Sequence, residues 1–230
     1  MIRKIVITGD GSSTIHLPEW NEQYHSKHGA IQEAYHVFIK HGLHHFCIGE
    51  NEKEKTKSSE ISILEIGFGT ALNAYITLLE SEKFNLNINY VGVEGYPVSM
   101  EEIEQLNYAK ELNAEDNRTL FKKIHKSPWD ESYMVTPKFS LIKQQKFFSE
   151  IKDVALYNVI YFDAFGARVQ PELWTEAIFK NMFKALKPGG MLVTYSAKGS
   201  VRRAMQSVGF KVERLEGPPG KREMLRASKP

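Results

Sequence analysis

From residue 61 onward, short apolar runs alternate with segments of helical periodicity, and this alternation restricts the fold more than any other feature. The apolar runs occupy residues 61–66, 90–93, 139–142, 157–162 and 191–195. Runs of this length, separated by helical segments, are typical of a parallel sheet covered by helices. The sequence therefore predicts an α/β fold.

The segments between and around these strands complete the predicted topology. Helices are expected at residues 30–46, 71–79, 98–112, 174–186 and 198–208, an irregular excursion at 113–137, and a tight turn at 187–190. Residues 210–215 and 223–227 flank a Gly-Pro-Pro-Gly run, which favours a terminal antiparallel hairpin. Parallel units that end in such a hairpin indicate a class I methyltransferase sheet, which is Rossmann-like, rather than a dinucleotide dehydrogenase.

The amino-terminal quarter of the chain has a different pattern. Residues 5–7 predict a short strand, and the polar run 51–59 predicts a solvated loop. We therefore expect residues 1–60 to form an N-terminal extension or lid, and residues 61–230 to form the main domain.

Composition narrows the cellular setting. Cys47 is the one cysteine, so an internal disulfide is impossible and a reducing compartment is expected. The sequence has neither an apolar run of about 20 residues nor the apolar core of a signal peptide. These observations predict a soluble, cytoplasmic protein, while a net charge of +2 is too small to indicate nucleic-acid binding by itself.

A glycine-rich turn, Gly67-Phe68-Gly69-Thr70, follows the first strand of the main domain. Glycine lets the backbone approach a ligand closely, and Glu65 just before the turn is placed to bind a polar end of that ligand. A dinucleotide fingerprint would have a third glycine where this chain has Leu72. Glu94 ends the next strand, at the spacing of a carboxylate that binds ribose hydroxyls. The combination predicts binding of S-adenosylmethionine rather than NAD or FAD; the alternative is a turn without a ligand.

Asp163 ends the strongest apolar strand, at the edge where ligands bind in such sheets. Methyl transfer from a sulfonium is a direct displacement, which requires alignment of the partners and exclusion of water. An amine acceptor must also lose its proton, and a carboxylate is suited to receive it. Asp163 is therefore the candidate catalytic base; the alternative is that it caps the following loop.

Several longer motifs resemble one family. They are Asp163-Ala164-Phe165, Pro171-Glu172-Leu173-Trp174-Thr175, Ala197-Lys198-Gly199-Ser200-Val201-Arg202-Arg203, Gly220-Lys221-Arg222-Glu223-Met224-Leu225, the glycine turn through Asn73, and the segment from Tyr24 to Glu33. The first four, in this order, resemble the methyltransferase domain of the bacterial tRNA 5-methylaminomethyl-2-thiouridine biosynthesis enzyme (MnmC-like), and the glycine turn and the early segment also resemble it. The resemblance covers most of the chain.

The resemblance implies N-methylation of the 5-aminomethyl group of a wobble uridine in the tRNA anticodon loop. It implies that Glu94 holds the ribose and that Asp163 lies at the amine. The turn would line the donor pocket through Gly67, Phe68, Gly69, Thr70 and Asn73, with Tyr24, Ser26 and Gln32 as a lid. In two-domain relatives an FAD-dependent oxidase domain follows; since this chain ends at Pro230, we expect the stand-alone form without FAD.

One departure from the family concerns the adenine. Relatives often have an acid after the third strand, where this chain reads Ile142-Lys143-Gln144-Gln145-Lys146-Phe147. In place of this acid, Gln144, Gln145 or the backbone is available to bind the adenine amino group.

The carboxyl-terminal part is basic, with nine Lys or Arg against three Glu in residues 198–230. Such a face suits phosphate contacts. The candidates for RNA contact are Lys198, Arg202, Arg203, Lys221 and Arg222, with Lys122, Lys123 and Lys126 as a second patch. Phe165 and Trp174 are candidates for stacking on an unpaired base, although Trp174 equally suits a core position. The alternative for the charges is a solvated surface.

Seven of the eight histidines lie in the first 45 residues, but they lack cysteine or carboxylate partners, so we expect no metal. The favoured function is methylation of a tRNA aminomethyluridine. The alternatives are a methyl- or aminopropyl-transferase for a free small amine, which would act without RNA, and a non-catalytic RNA-binding module, which would not bind the donor. The oligomeric state is left open.

Overall fold

A computed structural model describes residues 2–48 and 60–230. The strands are β1 (Lys4–Ile7), β2 (Ser13–Leu17), β3 (Glu22–Gln23), β4 (Glu60–Ile66), β5 (Asn87–Val93), β6 (Ser132–Thr136), β7 (Phe139–Gln144), β8 (Tyr157–Phe162), β9 (Leu186–Thr194), β10 (Lys211–Glu216) and β11 (Glu223–Ser228). The α-helices are α1 (Ala30–Ala34), α2 (His45–Ile48), α3 (Leu72–Phe84), α4 (Met100–Ile103), α5 (Tyr108–Glu111), α6 (Arg118–Lys126), α7 (Glu176–Ala185) and α8 (Gly199–Ser207). A π-helical stretch, Tyr35–His44, joins α1 to α2, and 3₁₀ turns lie at Glu115–Asn117, Phe148–Glu150 and Pro171–Trp174.

The main sheet has the order β10-β11-β9-β8-β4-β5-β7-β6. Strands β7, β5, β4, β8 and β9 pair in parallel, whereas β6, β10 and β11 pair antiparallel. The chain leaves β4 toward β5 and β7, and returns to the other side of β4 as β8. The strand order therefore reverses at β4, where a sheet of this kind opens a crevice at its carboxyl edge. The predicted α/β fold with a terminal hairpin is confirmed.

Alternate residues of β4 pack on opposite faces of the sheet, as the period of a strand requires. Ile61 and Ile63 lie in the apolar cluster that includes Tyr75 and the π-helical stretch. Leu64 and Ile66 lie in the other cluster, with Phe179 of α7 and its neighbours. Burial on both faces explains why the sequence shows a continuous apolar run here.

The first 48 residues divide into two parts. Strands β1, β2 and β3 form a separate antiparallel sheet. The helical segment instead packs in the main core through Val37, Phe38 and Leu43. It approaches the sheet so closely that a Cβ on Gly42 would lie 3.1 Å from a Val193 methyl group. The predicted helix 30–46 is thus present, although its middle is π-helical; the predicted loop 51–59 lies outside the described residues.

The single helix predicted at residues 98–112 is wrong. Helix α4 starts with a capping box between Ser99 and Glu102, and the chain breaks before α5. The break follows from a tertiary contact, since the Asn107 amide N–H donates to the hydroxyl of Ser13 (2.9 Å) rather than to a helical carbonyl.

Two further expectations differ from the structure. The excursion at residues 113–137 contains α6 and the edge strand β6. The turn at 187–190 is part of β9, where the register against β8 shifts.

Candidate active site

The glycine turn lies between the ends of β5 and β8. The amides of Gly67 and Phe68 donate to the Val93 carbonyl at 3.0 and 3.1 Å. Gly67 has a φ of +89°, and a Cβ there would lie 2.6 Å from the carbonyl oxygen of Asp163. Both the left-handed conformation and the close contact require glycine. The Phe68 side chain is buried, and its ring occupies the space that a Cβ of Gly92 would fill, so the turn packs directly on β5.

Glu94 follows β5 beside this turn. One carboxylate oxygen accepts a hydrogen bond from the Gly69 amide (2.9 Å), and the other accepts from the Tyr96 amide (2.8 Å). The carboxylate is therefore fixed by backbone donors. Since each oxygen can accept a further bond, Glu94 retains the capacity to bind a pair of hydroxyls.

Behind the turn, Asn73 joins two acids. Its amide nitrogen donates to Glu65 (2.9 Å) and to Asp163 (2.8 Å), and the Tyr90 hydroxyl donates to the second Glu65 oxygen (2.8 Å). Burial raises the pKa of Glu65 well above its usual value, and nearby Asp163 adds to this. The side-chain carbonyl oxygen (Oδ1) of Asn73 is buried without a partner among the described residues. The network therefore offers hydrogen-bond acceptors, among them the unpartnered Asn73 oxygen, to a ligand that carries an ammonium.

Asp163 lies at the carboxyl end of β8, with its amide bonded to the carbonyl of Ile66 (2.9 Å). Removal from water, together with the nearby Glu33 carboxylate, raises the pKa of Asp163 to about 7. The hydrogen bond from Asn73 and the charge of Lys221 act in the opposite direction. A carboxyl with such a pKa can exchange a proton near neutrality.

The segment after β3 covers the glycine turn. A Cβ on Gly69 would lie 3.1 Å from the ring of Tyr24, so Tyr24 packs directly on the turn. The Ser26 amide donates to Glu33 (2.8 Å), which fixes the start of α1. Gln32, by contrast, is exposed outside this wall, and its backbone N–H donates to the Asp10 carboxylate (2.9 Å).

These elements enclose one cavity of about 1490 Å³. The sequence-predicted residues in its wall are Tyr24, Ser26, Glu65, Gly67, Phe68, Gly69, Thr70, Asn73, Glu94, Asp163, Phe165, Lys198 and Lys221. The structure therefore brings the predicted donor turn and the predicted base to the same space.

The residues expected to contact RNA fall into three groups. Phe165 lies in the cavity wall, edge-to-face with Trp20 and Tyr24 at centroid distances of 5.6 and 5.0 Å. Trp174 is a core residue, buried with its indole N–H bonded to the Phe165 carbonyl (2.8 Å). The remaining ones are basic. In the carboxyl-terminal part Lys198, Arg203 and Arg222 are exposed, Arg202 is half-buried and Lys221 is paired with Glu33. In the second patch, on α6, Lys123 and Lys126 are exposed and Lys122 is half-buried.

Sequence reasoning missed a neutral network behind Thr70. The imidazole of His25 bonds the hydroxyls of Thr14 (2.9 Å) and Thr70 (3.4 Å), and Tyr108 donates to Thr70 (3.1 Å). Burial lowers the pKa of His25 to about 4, so the ring is uncharged at neutrality. The cluster of histidines was visible in the sequence, but their partners come from distant segments.

Other missed residues lie at the rim. Tyr96 and Phe147 are exposed aromatics 6.0 Å apart, and both line the cavity with Gln145. Gln144 lies outside the cavity wall and has a buried, unpartnered side-chain oxygen. Arg3 donates to the Tyr96 carbonyl (2.8 Å), and Arg168 donates to the Trp20 carbonyl (3.0 Å), so the small sheet is attached on both sides of the cavity.

Within residues 2–48 and 60–230, no group of three or more His, Cys, Asp or Glu side chains is arranged to hold a metal ion. The same part of the chain contains no helix long and apolar enough to cross a membrane.

A family model described as S-adenosyl-L-methionine-dependent methyltransferase matches residues 100–230. Two curated relatives are the tRNA 5-methylaminomethyl-2-thiouridine biosynthesis bifunctional proteins MnmC of Hydrogenovibrio crunogenus (25% identity) and Cupriavidus necator (27%). The alignments cover 89% and 92% of this chain but 31% and 32% of those proteins. The chain thus spans about a third of the length of the curated relatives it matches.

Solved structures give a consistent picture. MNMC2 from Aquifex aeolicus superposes with a TM-score of 0.79 at 26% identity, over all of this chain and 71% of that one. Spermidine synthase from Thermotoga maritima superposes with a TM-score of 0.55 at 14% identity, over all of this chain and 70% of that one, which shows a shared fold alone.

Proposed function

Since the chain belongs to the S-adenosyl-L-methionine-dependent methyltransferase family, we propose that it N-methylates the 5-aminomethyl group of a wobble uridine in tRNA. The observation that carries the proposal is the position of Asp163, a carboxyl with a pKa near 7 in the same cavity wall as the donor turn. The identity of the acceptor is supported by the relatives whose names refer to this tRNA modification.

The cavity wall suits the methyl donor. A ligand with a ribose diol and an ammonium needs hydrogen-bond acceptors, and the wall presents oxygens of Glu94 and Glu65 and the unpartnered side-chain oxygen of Asn73. Glu94 would hold the ribose, and Asn73 with Glu65 would hold the ammonium end. The bound donor supplies an electrophilic methyl group.

The adenine end has candidate contacts despite the missing acid. Tyr96 and Phe147 present aromatic surface at the rim, beside the Glu94 that would bind the ribose. Gln145, on the same rim, carries both a donor and an acceptor for the edge of a base. We assign the adenine to this group, with Gln145 in the role expected of the acid.

The acceptor amine would lie at Asp163. Asn73 holds one oxygen of this carboxylate, which leaves the other to bind the amine and to take its proton before the nitrogen attacks the methyl group. Tyr24 and the small sheet would exclude water from the reacting atoms, which strengthens the electrostatic interactions in the cavity.

The RNA would contact the carboxyl-terminal face. Lys198, Arg203 and Arg222 are exposed, and Lys198 also lines the cavity, which places positive charge at the mouth. Phosphate contacts of this kind position an RNA without reading its sequence. Phe165 offers an aromatic surface in the wall for an unpaired base.

The test is incubation of the purified protein with S-adenosylmethionine and tRNA that carries 5-aminomethyluridine but lacks the final methyl group, followed by nucleoside mass spectrometry. We expect a gain of one methyl group on the aminomethyl nitrogen, and no product with tRNA that lacks the aminomethyl group. Equal modification of a free diamine without RNA would instead support the small-amine transferase. Absence of donor binding in calorimetry would overturn the proposal.

A further inference from the structure

An ion pair between a buried carboxylate and a half-buried lysine lines the cavity that contains Asp163. Glu33 of α1 is buried and pairs with the ammonium of Lys221, which belongs to the loop between β10 and β11. The second oxygen of Glu33 accepts the Ser26 amide (2.8 Å). A pair that joins residues 188 positions apart in the chain fixes the loop of the terminal hairpin to the N-terminal segment.

Lys221 also contacts Tyr195, which directly follows β9, the strand paired with the strand that ends before Asp163. Its ammonium lies 3.8 Å from the centroid of the Tyr195 ring, and the Tyr195 hydroxyl donates to the carbonyl of Ala164 (2.8 Å). Ala164 is the neighbour of Asp163, and Glu33, Asp163, Tyr195 and Lys221 all line one cavity. The pair and the candidate base therefore line the same cavity, and charges at a partly buried site interact more strongly than in bulk water.

The charged and titratable groups around Asp163 come from four directions. Glu33 of α1 and Lys221 of the hairpin loop line the same cavity as Asp163, and their charges act on its pKa in opposite directions. Glu65 of β4 and Tyr90 of β5 face it from the sheet, and Tyr195 faces it from the end of β9. Lys221 is the one cation among these groups.

We propose, building on the function proposed above, that Glu33 and Lys221 are positioning residues that set the protonation of Asp163 through their opposed charges. Glu33 favours the protonated carboxyl, and Lys221 favours the carboxylate. The balance lets Asp163 both release and accept a proton at neutral pH. Lys221 then serves the reaction from inside the cavity, rather than as a phosphate contact on the RNA surface.

A direct titration tests this without any turnover. The protein is labelled with ¹³C at aspartate carboxyl carbons, and the Asp163 resonance is assigned from its loss in Asp163→Asn. Removal of the positive charge in Lys221→Met should move the Asp163 midpoint upward, and Glu33→Gln should move it downward, each by about one pH unit. The Asp163 midpoint of the double variant, Glu33→Gln with Lys221→Met, should lie between the midpoints of the two single variants. Lys221→Arg should keep the wild-type midpoint.

Matched controls distinguish a local effect on the pKa of Asp163 from a nonspecific effect of removing a charge. Lys180→Met and Glu104→Gln remove the same charges at exposed positions outside the cavity, and should leave the midpoint unchanged. The pH dependence of kcat with tRNA gives a second readout, in which the acidic limb should follow the titrated midpoints while KM for tRNA stays within about twofold of wild type. A unit shift in pKa corresponds to about a tenfold change in the ionised fraction on that limb.

The outcomes are distinguishable. An unchanged Asp163 midpoint in both single variants overturns the inference. A large rise in KM for tRNA in Lys221→Met that Lys221→Arg does not share also overturns it, because that result indicates that Lys221 contacts a phosphate of the RNA. Shifted midpoints in a protein that does not methylate tRNA would keep the inference and overturn the proposed function instead.

Discussion

The side chain of Asp163 combines a fixed position, a proton that titrates near neutrality, and access to the cavity. Asp163→Asn keeps the size and the contact with Asn73 but cannot accept a proton. We expect kcat to fall by at least ~100-fold, since general bases contribute about 10²–10⁴ to a rate. The measurement is single-turnover methylation of tRNA under saturating donor.

The pH dependence of the methylation rate tests which protonation state of Asp163 is active. The ionised carboxylate is the active form, so the wild-type rate should rise with pH and level off above about 7, the pKa of Asp163. The Asn variant should lack this limb, while calorimetry should find its donor affinity within a few fold of wild type. An Asn variant that retains both the rate and the limb would show that Asp163 is not the base.

At the scale of elements, the turn after β4 depends on Gly67. Gly67→Ala introduces a Cβ 2.6 Å from the Asp163 carbonyl in addition to backbone strain, so we expect a loss of roughly 2–5 kcal/mol in free energy of unfolding. Gly189 is the matched control, because its φ is +74° and no heavy atom of the described residues lies within 4 Å of an added Cβ. Gly189→Ala should cost only ~1–2 kcal/mol. Urea denaturation measures both; equal losses would indicate that strain alone matters at Gly67.

Helix α8 carries the arginine pair predicted to contact RNA. The Arg203 guanidinium lies 3.2 Å from where a Cβ of Gly199 would be, at the start of the helix. Arg202→Ala with Arg203→Ala should raise the Kd for tRNA by about tenfold and reduce the salt dependence of binding by about one per lost phosphate contact. Filter binding at several salt concentrations checks this, with donor affinity as the internal control. An unchanged Kd would assign these arginines to the solvated surface.

For the whole molecule, the site lowers the stability of the free protein. The Asp163 carboxyl titrates near 3.8 when unfolded and near 7 when folded, so folding disfavours its ionised form. Relative to Asp163→Asn, the wild type should be equally stable below pH 4, lose stability as pH rises to about 7, and remain at a constant deficit above it. The deficit should be roughly 4 kcal/mol at pH 8, from a pKa difference of about three units at ~1.4 kcal/mol per unit.

Denaturation of both proteins from pH 4 to pH 8 measures the difference, which cancels the contributions of other groups such as His25. Saturating donor should narrow the gap, because its positive charges stabilise the carboxylate. A gap that is constant over the whole range would contradict a raised pKa for Asp163.

The sequence by itself determined the strands of the main sheet other than the edge strand β6, the glycine turn and the acids at the strand ends. These follow from local rules, since a strand buried on both faces must be continuously apolar, and a left-handed turn such as that at Gly67 requires glycine. Glu94 and Asp163 could be predicted because the carboxyl ends of parallel strands meet at one edge.

Only the tertiary structure decided what lies opposite these residues. Three contacts join segments that lie far apart in the chain: Glu33 with Lys221, His25 with Thr70, and Asn107 with Ser13 at the break between α4 and α5. Such pairs leave no periodic signal, because their geometry depends on how whole elements pack. For the same reason, Lys221, which in the sequence reads as part of a basic RNA-binding tail, lines the cavity in the folded molecule and pairs with Glu33.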